Sequence, residues 1–233
     1  MRILGIDTST KYAGIAVLED GILLAQSTMQ FMASHSEKLL PEIAHILEIM
    51  KIPLETIDYY AITVGPGSFT GLRVGISTAK GLSFVTKKKV IPVSTLEVIA
   101  WEFPYCKYQI CPIFDARKKE VFTALFKWEN NKILRLKEDS VLGINALVDW
   151  IKEKTIFAGS GADFYKEKLI EKLGSKAIFP PLIYSVPHPG IVAYIGLQRI
   201  NEATNGKDLK PEYLRKSEAE IKITLSTSSQ DKV

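Results

Sequence analysis

Residues 59–75 read YYAITVGPGSFTGLRVG, an apolar run that turns through four glycines and a proline into a helix-forming stretch. Aromatic and β-branched residues bounded by Gly-Pro-Gly predict a strand and a tight turn. From Phe69 the spacing predicts a helix, FTGLRVGISTAKGLSFVT, ending at the basic run Lys87–Lys89, where cations suit the negative end of the helix dipole. Ser68 or Thr70 can cap its start. The free amides of such a start can receive an anion. No Lys-Ser or Lys-Thr follows the glycines, so the loop is not a P-loop.

Gly71, Gly75, Ala79 and Ser83 fall at successive steps of four and form one stripe of small side chains along this helix. Each glycine in a helix interior costs about 1 kcal/mol relative to alanine, so the pair needs an offsetting contact. Spacing alone leaves two candidates open: the chain's own sheet, or a helix of a partner.

Outward from the loop, RILGI, AGIAVL and ILLAQS read as an antiparallel meander whose first strand ends in Asp7 and the polar turn DTST. SHSEKLLPEIAHILEIM follows as a helix, with Ser34 and Glu37 at capping-box spacing and Pro41 set to bend it or mark its start. The second half repeats the order. QICPIF ends in Asp115, ARKKE is a turn, VFTALFKW and KILRLK are strands, and KTIFAGSGADFY is a strand leading through Gly159 and Gly161 into a helix. IVAYIGLQRINEAT then reads as a helix that stops at Asn205-Gly206. The pattern predicts a duplicated α/β protein with a border near Pro104.

With 46% apolar residues in 233, the chain has ample material for a core, and a net charge of +4 is too small to coat nucleic acid. The N-terminal stretch lacks the apolar core of a secretory signal, no run approaches a membrane span, and Cys106 and Cys111 have no metal-ligand spacing. A reduced, cytoplasmic protein with no membrane partner is expected. His35, His45 and His188 are not paired at helical spacing, so no metal is expected, and GPGSFTG is not the G-x-S-x-G of a serine nucleophile. The hydroxyls after Asp7 can donate to phosphate, and a hairpin turn favours the same residues. Neither DTST nor DARK contains the glycine that lets backbone amides reach a phosphate.

ILGIDTST, HSEKLLP, VGPGSFTGLRVG, DARKKEVF and PEYLR together resemble the bacterial TsaB family, also called YeaZ, over nearly the whole chain up to Arg215. The resemblance implies a duplicated actin-like/Hsp70-like ATPase (ribonuclease H-like) fold and a role in making N6-threonylcarbamoyladenosine in tRNA. It implies a scaffold without catalysis or a cofactor of its own, paired with the metal-binding transferase TsaD and joined by the ATPase TsaE. A second copy of the chain is an alternative occupant of the same surface, tRNA is met indirectly through the complex, and ATP or ADP would lie at the complex interface.

The surface so implied comprises His35, Leu39, Leu40, Ile43 and Leu47 on the first helix and Phe69, Gly71, Leu72, Arg73, Gly75, Ile76 and Ala79 on the second. Arg73 would bond across the seam, and Gly75→Leu would leave the monomer folded while abolishing pairing. Asp7, Thr8, Ser9, Asp115, Gly159 and Gly161 are expected as a vestigial nucleotide site. Residues 1–104 form the first subdomain and 105–216 the second, with the last helix able to pack back on the first, and 217–233 are a polar tail. Two rivals stand beside this reading: an ATPase acting alone through Asp7 and Asp115, and a protease-like hydrolase for which the sequence offers no metal or nucleophile.

Overall fold

The computed structural model describes residues 1–30 and 35–215, with the side chains of His35 and Ser36 excepted. The Ser34–Glu37 capping box, the role of the His35 side chain and the tail 217–233 therefore lie outside the described residues.

The first half opens with β1 (Arg2–Asp7), β2 (Tyr12–Glu19) and β3 (Ile22–Gln30), then α1 (His35–Ile49), β4 (Tyr59–Gly65), α2 (Phe69–Thr86), β5 (Lys89–Ser94) and α3 (Thr95–Trp101). The second half runs β6 (Gln109–Asp115), β7 (Glu120–Glu129), β8 (Lys132–Gly143), α4 (Ile144–Trp150), β9 (Thr155–Ala158), α5 (Ser160–Phe164), α6 (Lys166–Leu173) and β10 (Ala177–Ile178). Helix α7 (Pro189–Gln198) closes the order.

The sheets are ordered β3-β2-β1-β4-β5 and β8-β7-β6-β9-β10, so the same five-strand plan occurs twice. In each, the first three strands are an antiparallel meander and the last two add in parallel to the first. Strand β1 is buried on both faces, which is why it reads as a nearly continuous apolar run. Leu4 and Ile6 join Ile15 and Val17 under α1 and α2, while Ile3 faces the opposite layer with Ala61, Ile91, Val192 and Ala193.

That opposite layer is α7, which returns to the first sheet after the second is complete. It lies so close that a Cβ on Gly5 would overlap the Pro189 carbonyl, and one on Gly196 would stand 2.5 Å from Ala61 Cβ. Helix α3 joins the halves: Leu96, Ile99 and Ala100 pack on Ile110, Phe114 and Phe126 of the second sheet, and Val98 packs toward α7.

The expected end of the last helix is corrected. It stops at Gln198, because Thr204 exchanges two backbone hydrogen bonds with Val90, at 2.8 and 2.9 Å, and so pairs the open edge of β5. Pro41 neither starts nor ends α1 but lies within it.

Candidate functional site

Strand β4 ends at Gly65, whose φ of +130° only glycine adopts readily. The Ser68 hydroxyl caps α2 by accepting from the Gly71 amide at 3.2 Å, as anticipated. The Ser68 amide donates to the Ser9 carbonyl at 2.7 Å, and the Thr8 hydroxyl donates to the Gly71 carbonyl at 2.8 Å. A Cβ on Gly67 would overlap the Ser9 carbonyl, one on Gly71 the Thr8 carbonyl, and one on Gly75 the Thr8 hydroxyl. The glycines of the loop therefore face the chain's own first turn.

This corrects the partner-surface expectation for the small stripe. Gly71, Gly75 and Ala79 face inward, and Leu39, Ile43, Leu47, Leu72 and Ile76 lie in the core between the helices and the sheet. Among the described side chains of that set, Leu40 and Arg73 are exposed and Phe69 is half-buried. Arg73 is bonded within the chain: its Nε donates to the Tyr213 hydroxyl at 2.9 Å and its guanidinium lies 3.8 Å from the Phe69 ring centre.

Tyr213 belongs to a strap that links the halves. Its ring stacks on Phe69 at 4.9 Å, the Glu212 amide donates to the Val64 carbonyl at 2.8 Å, and Arg215 Nη1 donates to the Ala116 carbonyl at 2.7 Å while the guanidinium pairs with Glu120. Glu212 also borders a charged cavity of about 310 Å³ between the halves, lined by Arg135, Asp139 and Arg199 among others. Beneath it the buried Glu97 accepts from Arg135 at 3.2 Å and from Arg199 at 2.5 Å.

The carboxylate of Asp7 at the end of β1 is buried. One oxygen accepts from the Ser9 hydroxyl at 2.6 Å and the Thr63 hydroxyl at 2.7 Å, and the other has no partner among the described residues. Burial outweighs those hydrogen bonds and pushes Asp7 up to about 6. Because the folded value lies above the ordinary 3.8, the cost of charging it builds as pH rises from 3.8 through about 6 and is complete above that. Asp7→Asn is expected to raise stability by about 1–2 kcal/mol at pH 8: the charging cost of about 3 kcal/mol disappears, while a buried amide donor is left unpaired. Below pH 4 the sign reverses, which denaturant melts at the two pH values will read.

The other residues of the expected nucleotide set have contacts of their own. Asp115 is exposed and accepts from the Arg117 amide at 2.9 Å. Gly159 and Gly161 lie against Ile113 instead. Cys111 is fully buried, which pushes its thiol up to about 12 and makes it a poor nucleophile. His188 hydrogen bonds Glu102 at 2.6 Å, and that bond raises the imidazole above its usual value. Among the described residues no three His, Cys, Asp or Glu side chains gather as a metal requires. No described helix is long and apolar enough to cross a membrane.

A different face of the two helices is open. On α2, Phe84 is 75% and Val85 72% exposed, Ser77 and Gly81 are exposed, and a Cβ on Gly81 would meet nothing within 4 Å. On α1, which packs beside α2, Leu40 is 51% exposed and Ala44 and Ile49 are exposed with it. Of this face the sequence reading names Leu40 but not Phe84, Val85 or Gly81, because the stronger small-residue signal lies on the opposite side of α2.

Two sheets of one order, each led by a strand ending in aspartate, define a duplicated α/β protein of the actin-like/Hsp70-like class. Residues 30–223 match the family model described as tRNA N6-adenosine threonylcarbamoyltransferase. The tRNA threonylcarbamoyladenosine biosynthesis protein TsaB of Bacillus subtilis is 30% identical over 225 residues, covering 95% of this chain and 97% of that one. The solved structure of YeaZ from Pseudomonas aeruginosa superposes with a TM-score of 0.78 at 25% identity, covering 91% of this chain and 99% of that one. A tRNA N6-adenosine threonylcarbamoyltransferase of Fusobacterium nucleatum is 39% identical over 109 residues, 40% of this chain and 32% of that protein. The chain belongs to the TsaB (YeaZ) family of tRNA threonylcarbamoyladenosine biosynthesis proteins.

Proposed function

We propose that this chain is a non-catalytic scaffold subunit that binds and positions the threonylcarbamoyltransferase through the outer faces of α1 and α2. The observation that carries the reading is the open face of α2. Phe84 and Val85 leave large apolar surface in water, and Gly81 keeps a helix-weakening residue that no contact among the described residues requires. Burying such side chains against a partner returns about 25 cal/mol per Å² of apolar area. The absence of catalysis is supported by the deep burial of Asp7 and Cys111 and by the pairing of His188 with Glu102. The reading assigns the chain no cofactor of its own, places ATP or ADP at the complex interface, and lets a second copy of the chain use the same face when the transferase is absent. A TsaE-type ATPase would join the assembled pair.

The test is the double substitution Leu40→Asp with Phe84→Asp, each at an exposed position. Titration calorimetry against the transferase is expected to show affinity at least about a hundredfold weaker, with an unchanged melting temperature, since two charges would enter a desolvated seam. An intact heterodimer on gel filtration overturns the proposal.

A further inference from the structure

The duplication supplies an internal control. In the first half, the turn after Asp7 is sealed: Asp7, Thr8 and Ser9 are buried, and the eighteen residues of α2 sit on it through Gly67, Gly71 and Gly75. In the second half, the helix after β9 is only the five-residue α5, and Gly159 and Gly161 touch Ile113, two positions before Asp115. The second turn is consequently left uncovered, and it carries Arg117, Lys118 and Lys119, all exposed.

Among the described residues these three cations have no side-chain partner. None forms an ion pair among the described residues, and the nearest carboxylates are engaged: Asp115 accepts from the Arg117 amide, and Glu120 pairs with Arg215. All three have left-handed backbones, with φ of +60°, +53° and +62°, a conformation that side-chain-bearing residues seldom adopt in succession. The turn is held by the Ala116 amide on the Glu120 carbonyl at 3.0 Å, the Glu120 amide on the Arg117 carbonyl at 3.0 Å, and Arg215 on the Ala116 carbonyl. The helix whose start packs on Ile113 of β6 carries an exposed aromatic. Phe164 on α5 is 74% exposed and stands edge-on to Tyr165 at 4.8 Å. Asp163 is the acid on that helix.

We infer that the Arg117–Lys119 turn after β6, together with Phe164 on α5, the helix that starts against β6, is a direct contact site for RNA, the cations meeting consecutive phosphates and the ring offering a face to an unpaired base. Exposed cations on a held turn, with an exposed ring on the helix that packs on the same strand, fit a polyanion with stackable bases better than a protein or a lipid surface. The inference rests on the family's place in tRNA modification and goes beyond a scaffold that meets tRNA only through its partner.

The experiment uses the full chain, alone and mixed with the transferase, and an unmodified tRNA transcript followed by fluorescence anisotropy at several salt concentrations. Arg117, Lys118 and Lys119 are replaced together by Asn, which tolerates the left-handed backbone, and circular dichroism checks the fold. The triple variant is expected to bind tRNA at least about tenfold more weakly at low salt, with the slope of log affinity on log salt reduced by about 2 to 3. Phe164→Ala is expected to weaken binding about tenfold with that slope unchanged and with heparin binding unaffected. Wild-type affinity and slope in the triple variant overturn the inference. So does an equal loss of heparin and tRNA binding with Phe164→Ala silent, which marks a general polyanion patch. Loss of transferase pairing in the triple variant also overturns it, by making the turn a protein contact. If the wild-type chain fails to pair with the transferase at all, the scaffold reading falls while the measurements on the chain alone still decide this one.

Discussion

Gly75→Leu is expected to leave no folded protein. The new Cβ would overlap the Thr8 hydroxyl and stand 3.1 Å from Ile62 Cδ1, and the remaining side chain would have to pass between α2 and the turn that α2 covers. Thr8 cannot withdraw, because its hydroxyl is bonded to the Gly71 carbonyl and its own carbonyl is pressed against Gly71. Overpacking of a well-ordered core usually costs about 1–3 kcal/mol, and here a whole side chain meets fixed backbone. A loss above about 4 kcal/mol would consume most of the stability of an ordinary domain. Gly81→Ala, two turns further along the same helix, is the control. Its methyl meets nothing, so it should gain about 1 kcal/mol from helix propensity alone. Urea melts of the two variants will separate the outcomes. A folded Gly75→Leu protein would show that the ladder of glycines is not what seats the first turn.

Glu97→Gln is expected to destabilise the chain by about 3 kcal/mol, roughly 6–12 °C in Tm for a protein of this size. Glu97 follows the end of β5, Arg135 lies on β8 of the other sheet, and Arg199 follows α7, so one buried carboxylate joins three distant parts of the chain. Its side chain is only 4% exposed, whereas the two guanidinium groups are partly open to water, which keeps the cost below that of a sealed pair. Removing the charge leaves two cations beneath a cavity with one fewer counter-ion. Arg135 still keeps Asp139, so the loss should be partly repaired at high salt. A variant that melts with the wild type would mean that Asp139, beside Arg135, and Glu202, 3.9 Å from Arg199 Nε, suffice.

Much of the first half was legible because its signals are local. Hydrophobic runs with turn residues at their ends gave β1, β2 and β4, and the helix read as 69–86 spans Phe69–Thr86, with Ser68 as its cap. The duplicated order of strands was legible for the same reason. The facing of α2 was not. Small side chains announce that something comes close, but not what, and the occupant, Thr8, lies 63 residues away from Gly71. Strand β5 escaped notice because Pro92 sits inside it, which an edge strand with one neighbour tolerates. The Glu97 cluster left no pattern at all, since its members are separated by 38 and 102 residues. Within the PEYLR motif, the sequence carried the string but not its use as a strap between the halves.

The return of α7 bears on how the molecule is made. Strands β1, β2 and β4 leave the ribosome early, yet the surface that Gly5 and Ala61 present stays bare until Val192, Ala193 and Gly196 have been synthesised. A nascent chain must therefore carry an uncovered apolar sheet through the whole translation of its second half, a window in which chaperones would bind and in which a premature stop before residue 189 would yield an aggregating fragment rather than a half-sized protein.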